Sequence, residues 1–172
     1  AALEPGRVVF EITEQRIECE PARLAEAVSW CRAKGMRIAI DDLGMGHSSL
    51  SRWLDLRPEY IKADKRFVRE LQSDPVRQQI MRSLSDIARA TGAQVVAEGI
   101  ETPGDLDCLL DLGISCGQGY YIARPQQTPG KMLDPAISQR LTGSQAPSGD
   151  SPRMRDEANL SGGGQVLQLL RR

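Results

Sequence analysis

Aromatic side chains are scarce, with two Trp, two Phe and three Tyr in 172 residues. A core built from this chain is mostly aliphatic, and the scarcity argues against a row of base-stacking rings on its surface. Charge of one sign is lacking too: a formal net of −1 gives no whole-chain pull towards nucleic acid or an anionic membrane. Partners must therefore be argued from a site. His47 is the single histidine, and Cys19, Cys31, Cys108 and Cys116 form no C-x-x-C pair, so structural zinc has poor support and reduced thiols are expected. No apolar run approaches ~20 residues, and no leader with a basic start and a small-residue cleavage site opens the chain. The expectation is a soluble, cytoplasmic protein with no membrane segment and no DNA or RNA polymer as partner.

What the chain does have is a repeated unit. RVVFEITE is short, β-branched and apolar before its acids, as a buried parallel strand should be. Pro21 suits a first helical position, Leu24, Val28 and Cys31 recur on one helical face, and Gly35 stops the helix. The unit recurs through RIAIDD with SSLSRWLDL, EYIKAD with a helix opened by Asp74 and Pro75, AQVVAEGI with a helix capped by Thr102 and Pro103, and ISCGQGYY. Leu50, Trp53 and Leu54, then Ile80, Leu84 and Ile87, then Leu106, Leu109 and Leu110 give the expected inner helix faces, with strands near 8–12, 38–42, 60–63, 95–98 and 116–120. Such alternation predicts a parallel sheet with helices outside it. From residue 126 onward Gln, Ser, Gly and Pro dominate, so 1–125 reads as domain and 126–172 as a flexible tail, with at most a short helix around 131–141 and a marginal one in VLQLLRR.

Polar residues gather at the carboxyl ends of these strands: Glu11, then Asp41 and Asp42, then Lys62 and Asp64, then Glu98 and Glu101, then Gln118. Barrel enzymes and open doubly wound sheets both bind ligands there, so the pattern indicates chemistry without choosing between the two. Singly, Glu11, Lys62 or Glu98 fits a solvated strand end or a salt bridge. Together, so many acids on one rim need cations to offset their repulsion, and Lys62 covers only part of it. The turn GMGHSS lacks the third glycine of G-x-G-x-x-G and the lysine of a P-loop, and the acids before it would repel a phosphate unless a cation lay between. Oxygen donors predominate, which suits Mg²⁺ or Mn²⁺; His47 is better read as a loop residue than as a ligand.

These residues resemble the EAL-domain cyclic-di-GMP phosphodiesterases. FEITE is similar to their E-[LI]-T-E, IAIDDLGMGHSSL to D-D-F-G-T-G-Y-S-S-L, YIKAD to I-K-I-D, VVAEGIE to V-A-E-G-V-E, and CGQGYYIARP to G-Q-G-Y-x-x-x-R-P, in order from Val8 to Pro125. The resemblance implies an α/β fold, the (β/α)8 TIM-like barrel of the EAL type, of which about the last five βα units are present. It implies hydrolysis of cyclic-di-GMP to linear pGpG with two divalent ions, Mg²⁺ or Mn²⁺. Glu11, Asp41 and Asp42 match acids that bind the ions and Asp64 an acid beside them. Lys62 matches a lysine that contacts the hydrolytic water or phosphate, and Glu98 the general base or a metal-associated acid. Gln118 matches a pocket glutamine, while Glu14 and Glu101 match acids that support the loop after the Asp pair.

The departures have consequences. No E-A-L tripeptide occurs, and the asparagine of the next family strand has no counterpart. Leu43, Met45, His47 and Ala63 stand where the family has phenylalanine, threonine, tyrosine and isoleucine. The chain alone is therefore expected to hydrolyse little, and the missing amino-terminal half of the barrel or a second EAL domain is its expected protein partner. The alternative reading is a non-catalytic module that binds cyclic-di-GMP or serves regulation.

Overall fold

A computed structural model describes residues 4–13, 20–43, 49–125, 133–143 and 167–168. Strands β1 (Val9–Thr13), β2 (Arg37–Leu43), β3 (Tyr60–Ala63), β4 (Gln94–Glu98) and β5 (Cys116–Gln118) lie side by side in chain order, all parallel. Helices α1 (Pro21–Ala33), α2 (Ser49–Leu56), α3 (Lys65–Val68), α4 (Pro75–Thr91), α5 (Pro103–Asp111) and α6 (Pro135–Gly143) follow the strands in turn. A two-residue β6 (Leu167–Gln168) pairs antiparallel with β5. None of these helices is long and apolar enough to cross a membrane.

Period-two alternation divides the strand residues between two faces. Ile40, Ile61, Ala63, Val95 and Ala97 point outward into a core shared with Trp53, Met81, Leu84, Leu106 and Leu109. Ile38 and Ile12 do the same against Val28, Cys31 and Leu56. Each fully buried large apolar side chain here contributes about 1.5–3 kcal/mol, and Ile38, Ile40 and Ile61 are exposed by 1 % or less. The inner face carries Ala39, Tyr60, Val96 and Cys116, with Val9 against them. Two residues further along each strand, the inner positions are Glu11, Asp41, Lys62, Glu98 and Gln118.

Helix α4 has the ends its sequence announces. The Asp74 carboxylate accepts from the backbone N–H of Val76 and Arg77, Pro75 occupies the first turn, and Gly92 closes it in the left-handed region at φ 75°. Two helix faces differ from expectation. Met81, Leu84, Ser85 and Ala88 are the buried positions of α4, while Ile80 and Ile87 are 37 % and 41 % exposed; on α2, Trp53 and Leu56 are buried and Leu50 and Leu54 are not. Close packing on the sheet favours the narrow side of α4, where Ser85 Oγ donates to Leu112 O at 3.2 Å. Trp53 is locked by a 3.2 Å bond from Nε1 to Thr91 Oγ1, linking α2 to the end of α4, whereas Trp30 on α1 is 59 % exposed.

Strand β5 stops at Gln118, short of the expected 120. At Gly119 a Cβ would stand 2.1 Å from Ile100 O and 2.3 Å from Ile100 N, so the chain there crosses the segment after β4 at backbone contact. Ile100 N donates to Gln118 O and Tyr121 N to Ile100 O, which ties the two carboxyl-end segments together. Within the stretch read as tail, α6 buries Ile137 in the main core.

Candidate metal and acid–base site

Alternation alone sends adjacent strand residues to opposite faces, so Asp41 and Asp42 cannot both point inward from a regular strand. The β2–β3 register breaks between Ile40 and Leu43, and Asp42 adopts φ 57°, a left-handed conformation that Asp tolerates better than most residues. Asp41, Asp42 and Glu98 then offer carboxylate oxygens that all lie within 4.8 Å of one another. The Asp42 N–H donates to Asp41 Oδ1 at 3.0 Å.

Lys62 sits among the acids. Its Nζ is 3.0 Å from Glu11 Oε2, 2.8 Å from Asp41 Oδ1 and 2.8 Å from Glu98 Oε1, with the side chain only 9 % exposed. Gln118 Nε2 donates to Glu98 Oε1 at 2.9 Å, so that oxygen receives two donors. Burial alone would lower the Lys62 ammonium, but its bonds to Asp41, Glu98 and Glu11 outweigh this and raise its pKa. Burial raises Glu98 despite Lys62 beside it, and raises Asp42 with help from the charges of Asp41 and Asp64.

Asp64 stands apart from that trio. It caps α3, its Oδ1 accepting from Arg66 N at 2.8 Å and from Arg66 Nε at 3.1 Å. Both residues are felt electrostatically at Asp42, Asp64 raising and Arg66 lowering its pKa. Motif spacing does not single out Arg66; the available signal was an Asp at a helix start with a cation two residues on. Glu101 is exposed between β4 and α5, and among the described residues no hydrogen bond or ion pair joins it to the acids. Glu14, like the loop residues 44–48 that include His47, lies outside the described residues.

The donor set fits hard divalent cations: three clustered carboxylates, all oxygen, with no sulfur or imidazole donor described among them. Glu11, Asp41, Asp42, Asp64 and Glu98 set five negative charges against the two positive charges of Lys62 and Arg66. Three negative charges remain. Divalent cations would offset that excess.

The family model described as EAL domain matches residues 1–125. The cyclic di-GMP phosphodiesterase RocR of Pseudomonas aeruginosa is 37% identical over 123 residues, which cover 72% of this chain and 31% of RocR. The probable cyclic di-GMP phosphodiesterase PdeA of Escherichia coli is 36% identical over 124 residues, 72% of this chain and 17% of that protein. Among solved structures, Klebsiella pneumoniae BlrP1 in its manganese and cy-diGMP complex superimposes with a TM-score of 0.67 at 34% identity, covering 72% of this chain and 31% of that one. The EAL domain of Mycobacterium smegmatis DcpA gives a TM-score of 0.67 at 32% identity, with 83% and 61% covered. The chain thus spans less than a third of the length of the curated relatives it matches. Its five parallel βα units are part of a barrel of the TIM type, and the chain belongs to the EAL domain family.

Proposed function

We propose that this chain is the catalytic-rim part of a cytoplasmic, metal-dependent phosphodiesterase that cleaves cyclic-di-GMP to linear pGpG. The observation that carries the reading is the convergence of Glu11, Asp41 and Glu98 from three strands on one lysine within 3.0 Å, with Asp42 turned in beside them. Two ions, Mg²⁺ or Mn²⁺, held by Glu11, Asp41, Asp42 and Glu98 with Asp64 near, would supply Lewis acidity and an activated water. Glu98, half-buried at the rim beside Lys62 and Gln118, takes the proton of the attacking water. Lys62 carries positive charge to the water or the phosphate oxygen. Gln118 holds Glu98 Oε1, so the base presents one defined oxygen. Glu101 and Glu14 support the loop that follows Asp42.

The 172-residue chain is expected to release pGpG no faster than buffer, and to gain activity when an EAL-type amino-terminal half is supplied in cis or as a separate polypeptide. Chromatography of the nucleotide products tests this. No pGpG from the completed barrel with either ion would end the catalytic reading. A binding-only module is the second reading, favoured by Leu43, Met45, His47 and Ala63, which depart from the family pattern within the matched motifs. Saturable cyclic-di-GMP binding by a completed barrel that never turns over would select it.

A further inference from the structure

We propose that the Lys62 ammonium is the site's resident cation, holding the carboxylates together when no divalent ion is bound and leaving them when one enters. The inference rests on the metal-dependent reading above and adds a competition inside the site. An ammonium has three N–H donors and no acceptor. Here Nζ faces three carboxylates, from Glu11 on β1, Asp41 on β2 and Glu98 on β4. Two of these, Asp41 and Glu98, also belong to the trio whose oxygens lie within 4.8 Å of one another. A cation drawn to Asp41 and Glu98 meets Nζ already in place, 2.8 Å from Asp41 Oδ1 and 2.8 Å from Glu98 Oε1.

The other bonds to those oxygens are compatible with such an exchange. Asp41 Oδ1 keeps the Asp42 N–H and Glu98 Oε1 keeps the Gln118 amide after the ammonium has gone. Both carboxylates therefore stay oriented. Lysine suits the task better than arginine, because a compact ammonium on a four-carbon stem can withdraw whereas a planar fork pairs in a fixed geometry. The metal-free rim is thus held by a cation that the chain itself supplies, and ion binding has to displace it.

The test titrates Mn²⁺ alone into the 172-residue chain and its Lys62→Met variant by calorimetry, with urea unfolding measured in EDTA and in saturating Mn²⁺. Removing the competitor is expected to tighten Mn²⁺ binding at least tenfold, while the variant unfolds at lower urea in EDTA and recovers in Mn²⁺. Equal or weaker Mn²⁺ binding by the folded variant overturns the proposal, since the ion then uses other oxygens with Lys62 in place. No Mn²⁺ binding by either form overturns it as well. Should the Met variant fail to fold without metal, Lys62→Arg decides: it is expected to remain folded and to bind Mn²⁺ more weakly than the parent, and tighter binding sinks the idea. The phosphodiesterase reading stands or falls separately, on pGpG release by the completed barrel.

Discussion

Lys62 and Glu98 meet at 2.8 Å although their backbones are out of register, Lys62 pairing with Val96 and Glu98 with Gln118. The contact is a diagonal one between neighbouring strands, within reach of a long side chain. Burying such a pair raises the cost of losing either partner, because the survivor is left charged and uncompensated.

In a completed barrel, Glu98→Gln and Lys62→Ala should each lower pGpG release by ~10²–10⁴, the usual cost of removing a general base or the partner of an activated water. His47→Ala should change it little. Retention of most activity by both of the first two variants would remove catalysis from this rim.

Asp42 separates backbone from side-chain effects. At φ 57° Asn and Gly are tolerated, whereas Ala is strained by about 1 kcal/mol. In EDTA, urea midpoints should rank Asp42→Asn and Asp42→Gly above Asp42→Ala, while all three weaken Mn²⁺ binding. An Ala variant as stable as the Asn variant would contradict the left-handed assignment.

The Glu98 pKa is raised above its ordinary 4.5, so the folded site favours the neutral carboxyl. That contribution is complete below the ordinary value and is lost as pH rises through the folded one. Metal-free parent should therefore lose stability relative to Glu98→Gln as the pH rises from about 4 towards 7, on top of a pH-independent cost of leaving Lys62 with one partner fewer. Lys62, also raised, keeps its contribution until the pH exceeds its ordinary 10.5. Parallel pH–stability curves for parent and variant would exclude this.

Burial pushes the Cys116 thiol, 5 % exposed, from 9.0 up to about 11. Stability present below pH 9 should be lost between pH 9 and about 11, by roughly 2–3 kcal/mol. Cys116→Ala should flatten that fall in alkaline urea titrations.

Two glycines make a paired test. Gly119→Ala would drive a methyl into Ile100 backbone atoms, which cannot yield as a side chain would, so a loss above about 2 kcal/mol is expected together with a disturbed Glu98–Gln118 contact. Gly92→Ala meets nothing within 4 Å and should cost only the ~1 kcal/mol of a positive φ. Similar losses at both positions in thermal melts would refute the distinction.

Strand positions and the polar rim were legible because RIAIDD and QVVAEG each join a β-branched apolar run to acids, a pattern that suits a buried strand opening onto a polar edge and suits neither a helix nor a loop. The helix faces were less so. Large side chains mark a helix stripe on paper, but α4 seats Ser85 and Ala88 against its neighbours and leaves Ile80 and Ile87 at the margin, since small groups permit close approach. Nor does any periodicity reveal the left-handed Asp42, although two adjacent acids required some such break. Helix α3 was missed for its length: four residues carry no measurable period, and only its Asp64 cap was there to be read.

The two tryptophans make the molecule its own optical probe. Trp53, 2 % exposed and bonded to Thr91, should emit at short wavelength in the folded state, while Trp30, 59 % exposed, already emits as if in water. Denaturation changes the colour of only one of them. The emission shift of this chain therefore follows the parting of α2 from α4, and Trp53→Phe should leave a spectrum whose position hardly moves on unfolding.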